Sequence, residues 1–232
     1  MIDARRSQPL IDPVDWATHS IGIIGAGAVG SKIALELACL GLTNVTVYDF
    51  DKVEAHNLSN QAFCASHIGK PKVIALRELI IAKTGETPNW RFVNGKFSSL
   101  ERHRHVVMFS AVDTVAGRKE VMLSGAAHGT LVVYDSRMDA MQGSVCQYQP
   151  TSFNSVTRYE AGLPSEGYEG EVSACGLPIN CGATSSHVAS IAVTRFINDF
   201  TGGFDKSQEA LFASLGFDTN FNLRSHETWT TN

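Results

Sequence analysis

Ile21-Gly22-Ile23-Ile24-Gly25-Ala26-Gly27-Ala28-Val29-Gly30 decides the fold, and Asp49, nineteen residues past Gly30, completes its reading. A short apolar run feeds G-x-G-x-x-G, and Ser31 to Leu40 (S-K-I-A-L-E-L-A-C-L) carries apolar residues at helical spacing. The glycines therefore fall on a strand-to-helix turn. Gly25 permits the tight turn, Gly27 lets the backbone approach a phosphate, and Gly30 lets helix and strand pack closely. The N–H groups at such a helix start point at an anion. Asn44 to Tyr48 (N-V-T-V-Y) makes a second strand, ending at Asp49, where a carboxylate can accept from ribose hydroxyls.

Working outward, Lys72 to Lys83 and Gly117 to His128 read as helices, and Trp90 to Asn94 alternates as a strand. Val106 to Val112 (V-V-M-F-S-A-V) is a continuous apolar run, the pattern of a central parallel strand, with Asp113 at its C-terminal end. Open α/β sheets bind ligands beyond those strand ends, so Asp113 and the glycine loop are expected to face one cleft. Leu131 to Tyr134 reads as a further strand, with Gly143 to Gln149 and Ser155 to Tyr159 as an antiparallel extension. Ala161 to Cys181, rich in Gly, Pro, Ser and Glu, reads as a long crossing loop. Ser185 to Phe200 is a strongly apolar helix, and Thr201 to Asn232 a polar tail punctuated by Phe. The expected fold is α/β: a Rossmann-like mixed sheet, mostly parallel with an antiparallel C-terminal extension, helices on both faces. Residues 1–200 form the nucleotide-binding domain and 201–232 a tail packed on it or partly flexible.

The 232 residues suit one such domain, and a net charge of −4 with a pI near 6.0 provides no global basic field for nucleic acid. The basic cluster Arg102-His103-Arg104-His105 reads as a solvated loop. No run approaches the ~20 apolar residues of a membrane span, so a soluble, cytoplasmic protein is expected. Five cysteines at irregular spacing argue against a disulfide framework and suit a reduced compartment. Cys175 and Cys181 make a poor zinc half-site, and no structural zinc is expected.

The glycine loop alone also suits an NAD-dependent oxidoreductase, but the downstream residues point elsewhere. Asp49-Phe50-Asp51-Lys52-Val53-Glu54 runs into Asn57-Leu58-Ser59-Asn60-Gln61, then Ile68-Gly69-Lys70-Pro71-Lys72-Val73, then Ala111-Val112-Asp113-Thr114 with Arg118 behind. Together these blocks resemble the ThiF/MoeB/HesA adenylyltransferases, the family that includes the adenylation halves of ubiquitin-activating enzymes. The match runs from about Ile21 to Arg118 and more weakly to Phe200. The resemblance implies an ATP- and Mg²⁺-dependent enzyme. Its substrate is the C-terminal carboxylate of a small ubiquitin-like or sulfur-carrier protein, or of a peptide, which is joined to AMP with release of pyrophosphate. It implies that Lys72 holds phosphates, Asn57 and Gln61 line the phosphate path, Asp49 binds ribose with Asp51 nearby, and Asp113 carries Mg²⁺. The chemistry agrees, since an attacking carboxylate and a polyphosphate repel unless the site supplies positive charge and donors.

One departure stands out. Where active members show Asn-x-x-Arg-Gln, this chain has Asn60 in the arginine position, and arginine fingers in phosphoryl transfer are worth roughly 10³–10⁵ in rate. Three readings stay open: an enzyme that is slow or is rescued by Arg5, Arg6 or Arg118 from either subunit, an ATP-binding pseudoenzyme or interaction module, or a subfamily with altered chemistry. The resemblance also implies homodimerisation, for which Ala189 to Phe200 offers apolar surface. Relatives that transfer the carboxylate to cysteine carry it in a crossing loop, the region of Cys175 and Cys181. The acidic neighbours Glu166, Glu169 and Glu171 do not favour a thiolate there. Cys39, Cys64 and Cys146 read as structural, and His187 as a core histidine rather than a base.

Overall fold

In the computed structural model the described residues are 3–86, 89–100, 102–165 and 179–201, with the backbone of two later strands at 212–217 and 223–228. The chain runs β1 (Ser20–Ile24), α1 (Gly30–Cys39), β2 (Val45–Asp49), α2 (Lys72–Thr84), β3 (Arg91–Asn94), β4 (His105–Ser110) and α3 (Val115–His128). There follow β5 (Val132–Met138), β6 (Gly143–Tyr148), α4 (Phe153–Ala161), α5 (Gly182–Phe200), β7 (Phe212–Phe217) and β8 (Leu223–Thr228). One 8-stranded sheet results, in the order β3-β2-β1-β4-β5-β6-β7-β8. The pairings from β3 to β5 are parallel and those from β5 to β8 antiparallel. The fold is the expected Rossmann-like mixed sheet with an antiparallel C-terminal extension.

Period-2 alternation divides the core between the two faces of the sheet. Ile21, Ile23, Val107, Phe109, Tyr134 and Val145 join a buried cluster with α1, α2 and α5. Ile24, Met108, Val133, Cys146 and Tyr148 pack the other way, with Val121 and Met122 of α3 and Tyr159 of α4. Because β1 lies between β2 and β4, the chain leaves it in opposite directions on its two sides, and a crevice opens at the C-terminal ends of β1 and β4.

Four expectations need correction. Ser155 to Tyr159 is not a strand but the middle of α4: Ser152 caps it by accepting from the Ser155 amide at 3.4 Å, and Ser155 and Tyr159 are buried on one helical face. The segment from Thr201 onward supplies β7 and β8, whose backbone pairing continues from β6 and covers its otherwise open edge. His105 is not a loop residue. It opens β4, 4% exposed, donating or accepting at Ser20 Oγ (2.8 Å) and at the Tyr48 hydroxyl (2.9 Å), with its ring over Gly22, where a Cβ would come within 2.8 Å of it. His187 lies on the exposed side of α5, not in the core.

The apolar face of α5 (Val188, Ala189, Ala192, Val193, Phe196, Phe200) is buried within this chain, so it is not the free surface expected for pairing two copies. Among the described residues no helix is long and apolar enough to cross a membrane.

Candidate functional site

The glycine turn is wedged between two strand ends. The Gly25 amide donates to Tyr48 O (2.9 Å), the Ala111 amide donates to Ile24 O (2.8 Å), and Gly25 itself has φ +95°. A Cβ on Gly25 would stand 2.6 Å from Ala111 O, and one on Gly30 only 1.9 Å from Gly25 O, so both positions exclude a side chain. Gly27 differs: among the described residues nothing lies within 4 Å of where its Cβ would be. The amides of Gly27, Ala28 and Val29 make no hydrogen bond among the described residues, and α1 starts with neither a capping side chain nor an acid in its first turn. Free donors at a helix N-terminus beneath open space form an anion cradle.

Asp49, 8% exposed, closes one side of this cradle. Its Oδ2 accepts from the Ala26 amide (2.6 Å) and its Oδ1 from the Asp51 amide (2.8 Å), leaving one lone pair on each oxygen. Burial raises its pKa, opposed by the Lys72 ammonium and by the two backbone donors. Lys72 is the first residue of α2, after Pro71, and is buried with its Nζ 2.8 Å from Asp51 Oδ2. The Lys72 amide donates to Asp51 O at 2.9 Å, so side chain and backbone both tie the start of α2 to the stretch after β2. The spacing thus brings Asp49, Asp51 and Lys72 together.

Asp113 follows β4, exposed and without a hydrogen bond or ion pair among the described residues. It stands just before Thr114, whose hydroxyl caps α3 by accepting from the Gly117 amide (3.1 Å). Arg118 is buried: it bonds Asp135, itself 0% exposed, and donates to Ser136 O at 3.1 Å. Ser110 and Arg137 also donate to Asp135, at 2.9 and 2.8 Å. Arg118 is therefore part of a strand-end network. Arg5 is exposed and paired with Asp3 at 2.6 Å.

Asn57 and Gln61 lie on the turn after β2. Asn57, buried, accepts from the Glu54 amide at its Oδ1 (2.9 Å), and its carbonyl accepts from the Gln61 amide (2.9 Å). Asn60, 8% exposed, donates to Asn180, while its own Oδ1 and the Oε1 of Gln61 are buried without a partner among the described residues. Cys175 lies outside the described residues. Cys181 caps α5, with its Sγ 3.1 Å from Thr184 Oγ1. Hydrogen bonds from the Thr184 side chain and amide lower its pKa, with smaller help from the Ala183 amide and the Lys32 ammonium. Of the cysteines read as structural, Cys146 is buried, its thiol pushed up to about 12 by burial, whereas Cys64 is exposed.

Sequence reasoning passed over Lys32. Its Nζ donates to Gly182 O (2.7 Å) and Ser185 Oγ (2.5 Å), bringing α1 against the start of α5. The available signal was a cation in a helix's first turn, where the macrodipole disfavours it.

An open glycine cradle, an acid on its rim and a lysine behind that acid lie together at the switch point of an α/β sheet, the crevice where open α/β folds take their ligands. The sequence matches the ThiF family over residues 14–222, and the chain belongs to that family. It is 30% identical over 145 residues to the molybdopterin-synthase adenylyltransferase of Haemophilus influenzae, covering 56% of either chain. It is 28% identical over 113 residues to the NEDD8-activating enzyme E1 catalytic subunit of Arabidopsis thaliana, covering 47% of this chain and 24% of that one. The chain thus spans about half the length of the first relative, and less of the second. Among solved structures it resembles PaaA (TM-score 0.71, 18% identity, 99% of this chain and 70% of that one). It also resembles Escherichia coli MccB determined with ATP (TM-score 0.67, 12% identity, 94% and 65%). At these identities the two structures speak to the fold.

Proposed function

We propose that this protein is an ATP- and Mg²⁺-dependent adenylyltransferase that activates the C-terminal carboxylate of a small ubiquitin-like or sulfur-carrier protein, or of a peptide. The observation that carries the reading is the open backbone cradle at Gly27 flanked by Asp49, the Lys72–Asp51 pair and the exposed Asp113. The adenylyltransferase among its relatives supports the reaction class, and the MccB structure with ATP supports the nucleotide.

In this reading Asp49 receives the ribose, and the amides from Gly27 to Val29 receive the phosphates. An oxygen of the incoming carboxylate forms a bond to the α-phosphorus as the bond to pyrophosphate breaks, giving an acyl-adenylate. Negative charge collects on the departing pyrophosphate, and Lys72, fixed at the start of α2, offsets it. The donor set fits Mg²⁺, which takes one or two carboxylates together with phosphate oxygens: Asp113 is a carboxylate with no other partner among the described residues. When bound there, Mg²⁺ neutralises phosphate charge. Asn57 and Gln61 would line the phosphate path, and Cys175 would accept the activated carboxylate, with release of AMP, if this chain is of the kind that transfers it to cysteine. Two copies pairing through a surface other than the apolar face of α5 belong to the same proposal.

A second reading, a nucleotide-binding module without adenylation, is favoured by one observation: Asn60 is tied to Asn180, and Arg118 is engaged by Asp135. ATP–pyrophosphate exchange by the purified protein with Mg²⁺, with and without Gly-Gly-ending partner proteins, separates the two. Partner-dependent exchange is expected. Tight ATP binding with no exchange for any partner would move the conclusion to the binding module.

A further inference from the structure

Lys32 is the third residue of α1, and its ammonium sits where the helix's positive end repels it. Its two acceptors, Gly182 O and Ser185 Oγ, belong to the first turn of α5, so a second positive helix end faces it as well. No carboxylate among the described residues pairs with it. Glu36, one turn further along α1, accepts from Ser190 Oγ at 3.1 Å instead. Burial depresses the pKa of the ammonium, with only the Cys181 thiolate acting against this. Two neutral oxygens hold two of its three donors, and the third has no acceptor among the described residues. The other cations around the cradle are matched: Lys72 by Asp51, Lys70 by Glu78, Arg118 by Asp135. A half-buried ammonium without a carboxylate partner among the described residues, on the same helical turn as an anion cradle, is costly unless an anion arrives.

Its place is also specific. Ser185 Oγ, which accepts from Lys32, donates to the carbonyl of Asn60 at 3.0 Å. A methyl built on Gly182 would stand 3.7 Å from the Asn60 Cα and 3.9 Å from the Lys32 Nζ. The ammonium and the Asn60 Cα therefore flank Gly182 together, which sets the Lys32 charge beside position 60.

We propose that Lys32 supplies, from α1, the positive charge to the β- and γ-phosphates of ATP that Asn60 does not supply. The inference rests on the adenylyltransferase reading above. As a point charge on a flexible stem, a lysine can meet a polyphosphate without the fixed fork of a guanidinium.

Calorimetric titration of ATP, pyrophosphate and AMP into the wild-type protein, K32M, K32R and the double variant K32M/N60R tests it, with a thermal melt of each protein. K32M is expected to melt no lower than wild type, since it removes a desolvated charge. It should bind ATP and pyrophosphate about 10- to 100-fold more weakly, the range for one charge-assisted hydrogen bond, while AMP changes by less than about threefold. K32R should keep ATP binding, and N60R should restore it to K32M. Unchanged ATP affinity in K32M overturns the proposal, as does an equal loss for ATP and AMP, which marks a packing role. If the wild-type protein binds neither ATP nor AMP, the nucleotide reading itself falls, and the Lys32 assignment with it.

Discussion

Replacing Gly27 with alanine isolates the cradle from the rest of the fold. No atom of the described residues lies within 4 Å of the new methyl, and Gly27 is not among the glycines with positive φ, so the folded protein accommodates alanine without strain. Alanine also restricts the unfolded chain, so stability should be unchanged or rise by about 0.4–1 kcal/mol. The ligand meets a different situation. A phosphate oxygen accepting from a backbone N–H must come to ~2.9 Å of the nitrogen, and the methyl stands in the space through which it approaches. Losing one charge-assisted hydrogen bond costs about 1.5–3 kcal/mol, so ATP affinity should fall roughly 10- to 100-fold at ~1.4 kcal/mol per decade. Gly30→Ala is the control, because its methyl would lie 1.9 Å from Gly25 O and the backbone would have to move. That variant should lose about 3 kcal/mol or more. Urea denaturation and calorimetry on both variants give the two numbers. ATP binding in Gly27→Ala equal to wild type, or destabilisation matching that of Gly30→Ala, would refute the reasoning.

Two further expectations follow from the charge arrangement. Lys72→Met leaves Asp49 and Asp51 facing each other without their cation and should lower both stability, by about 1–2 kcal/mol given that Asp51 is half-exposed, and ATP affinity; adding Asp51→Asn should recover the stability but not the binding, and recovery of both would sink the phosphate role. At the opposite end of the sheet, burial and then neighbouring cationic groups hold His105 down at about 3, and burial and then His128 hold His103 at about 4, both below the ordinary 6.5. A histidine kept neutral by the fold stabilises fully above its unfolded value and loses that contribution as pH falls from 6.5 toward 3. By about pH 4.5 His105 alone should cost ~2.7 kcal/mol relative to about pH 8. Urea midpoints across that range, with His105→Gln flattening the slope, test this; an unchanged slope in the variant would remove His105 as the cause.

What could be read from the sequence was local. The unit from β1 to β2 is encoded in one glycine pattern and two adjacent hydrophobic periodicities, and its boundaries agree to within a residue or two. The helix α4 is short, and in S-V-T-R-Y only the three-residue spacing of Val156 and Tyr159 signals it; the cap at Ser152 and the burial of Ser155 with Tyr159 make its period plain. The strand β7 depends on pairing with β6, more than sixty residues earlier, and no local pattern encodes that partner; β8 then pairs with β7. The same holds at the site. Gly25, Gly30 and Asp49 announce their geometry, but the engagement of Arg118 by Asp135 and the approach of Lys32 to Asn60 arise from strands and helices distant in sequence meeting at one end of the sheet.

Asp49 carries a consequence for how the nucleotide preference of this scaffold could change. Its two oxygens are held by the amides of Ala26 and Asp51, so the acid, the loop it grips and the stretch leading to Lys72 form one mechanical unit. A longer or neutral residue there would move the cradle as well as alter what is recognised. Altered nucleotide recognition in descendants or engineered variants of this chain therefore has to change loop and acid together, and single substitutions at position 49 should lead to loss of binding before they lead to a new preference.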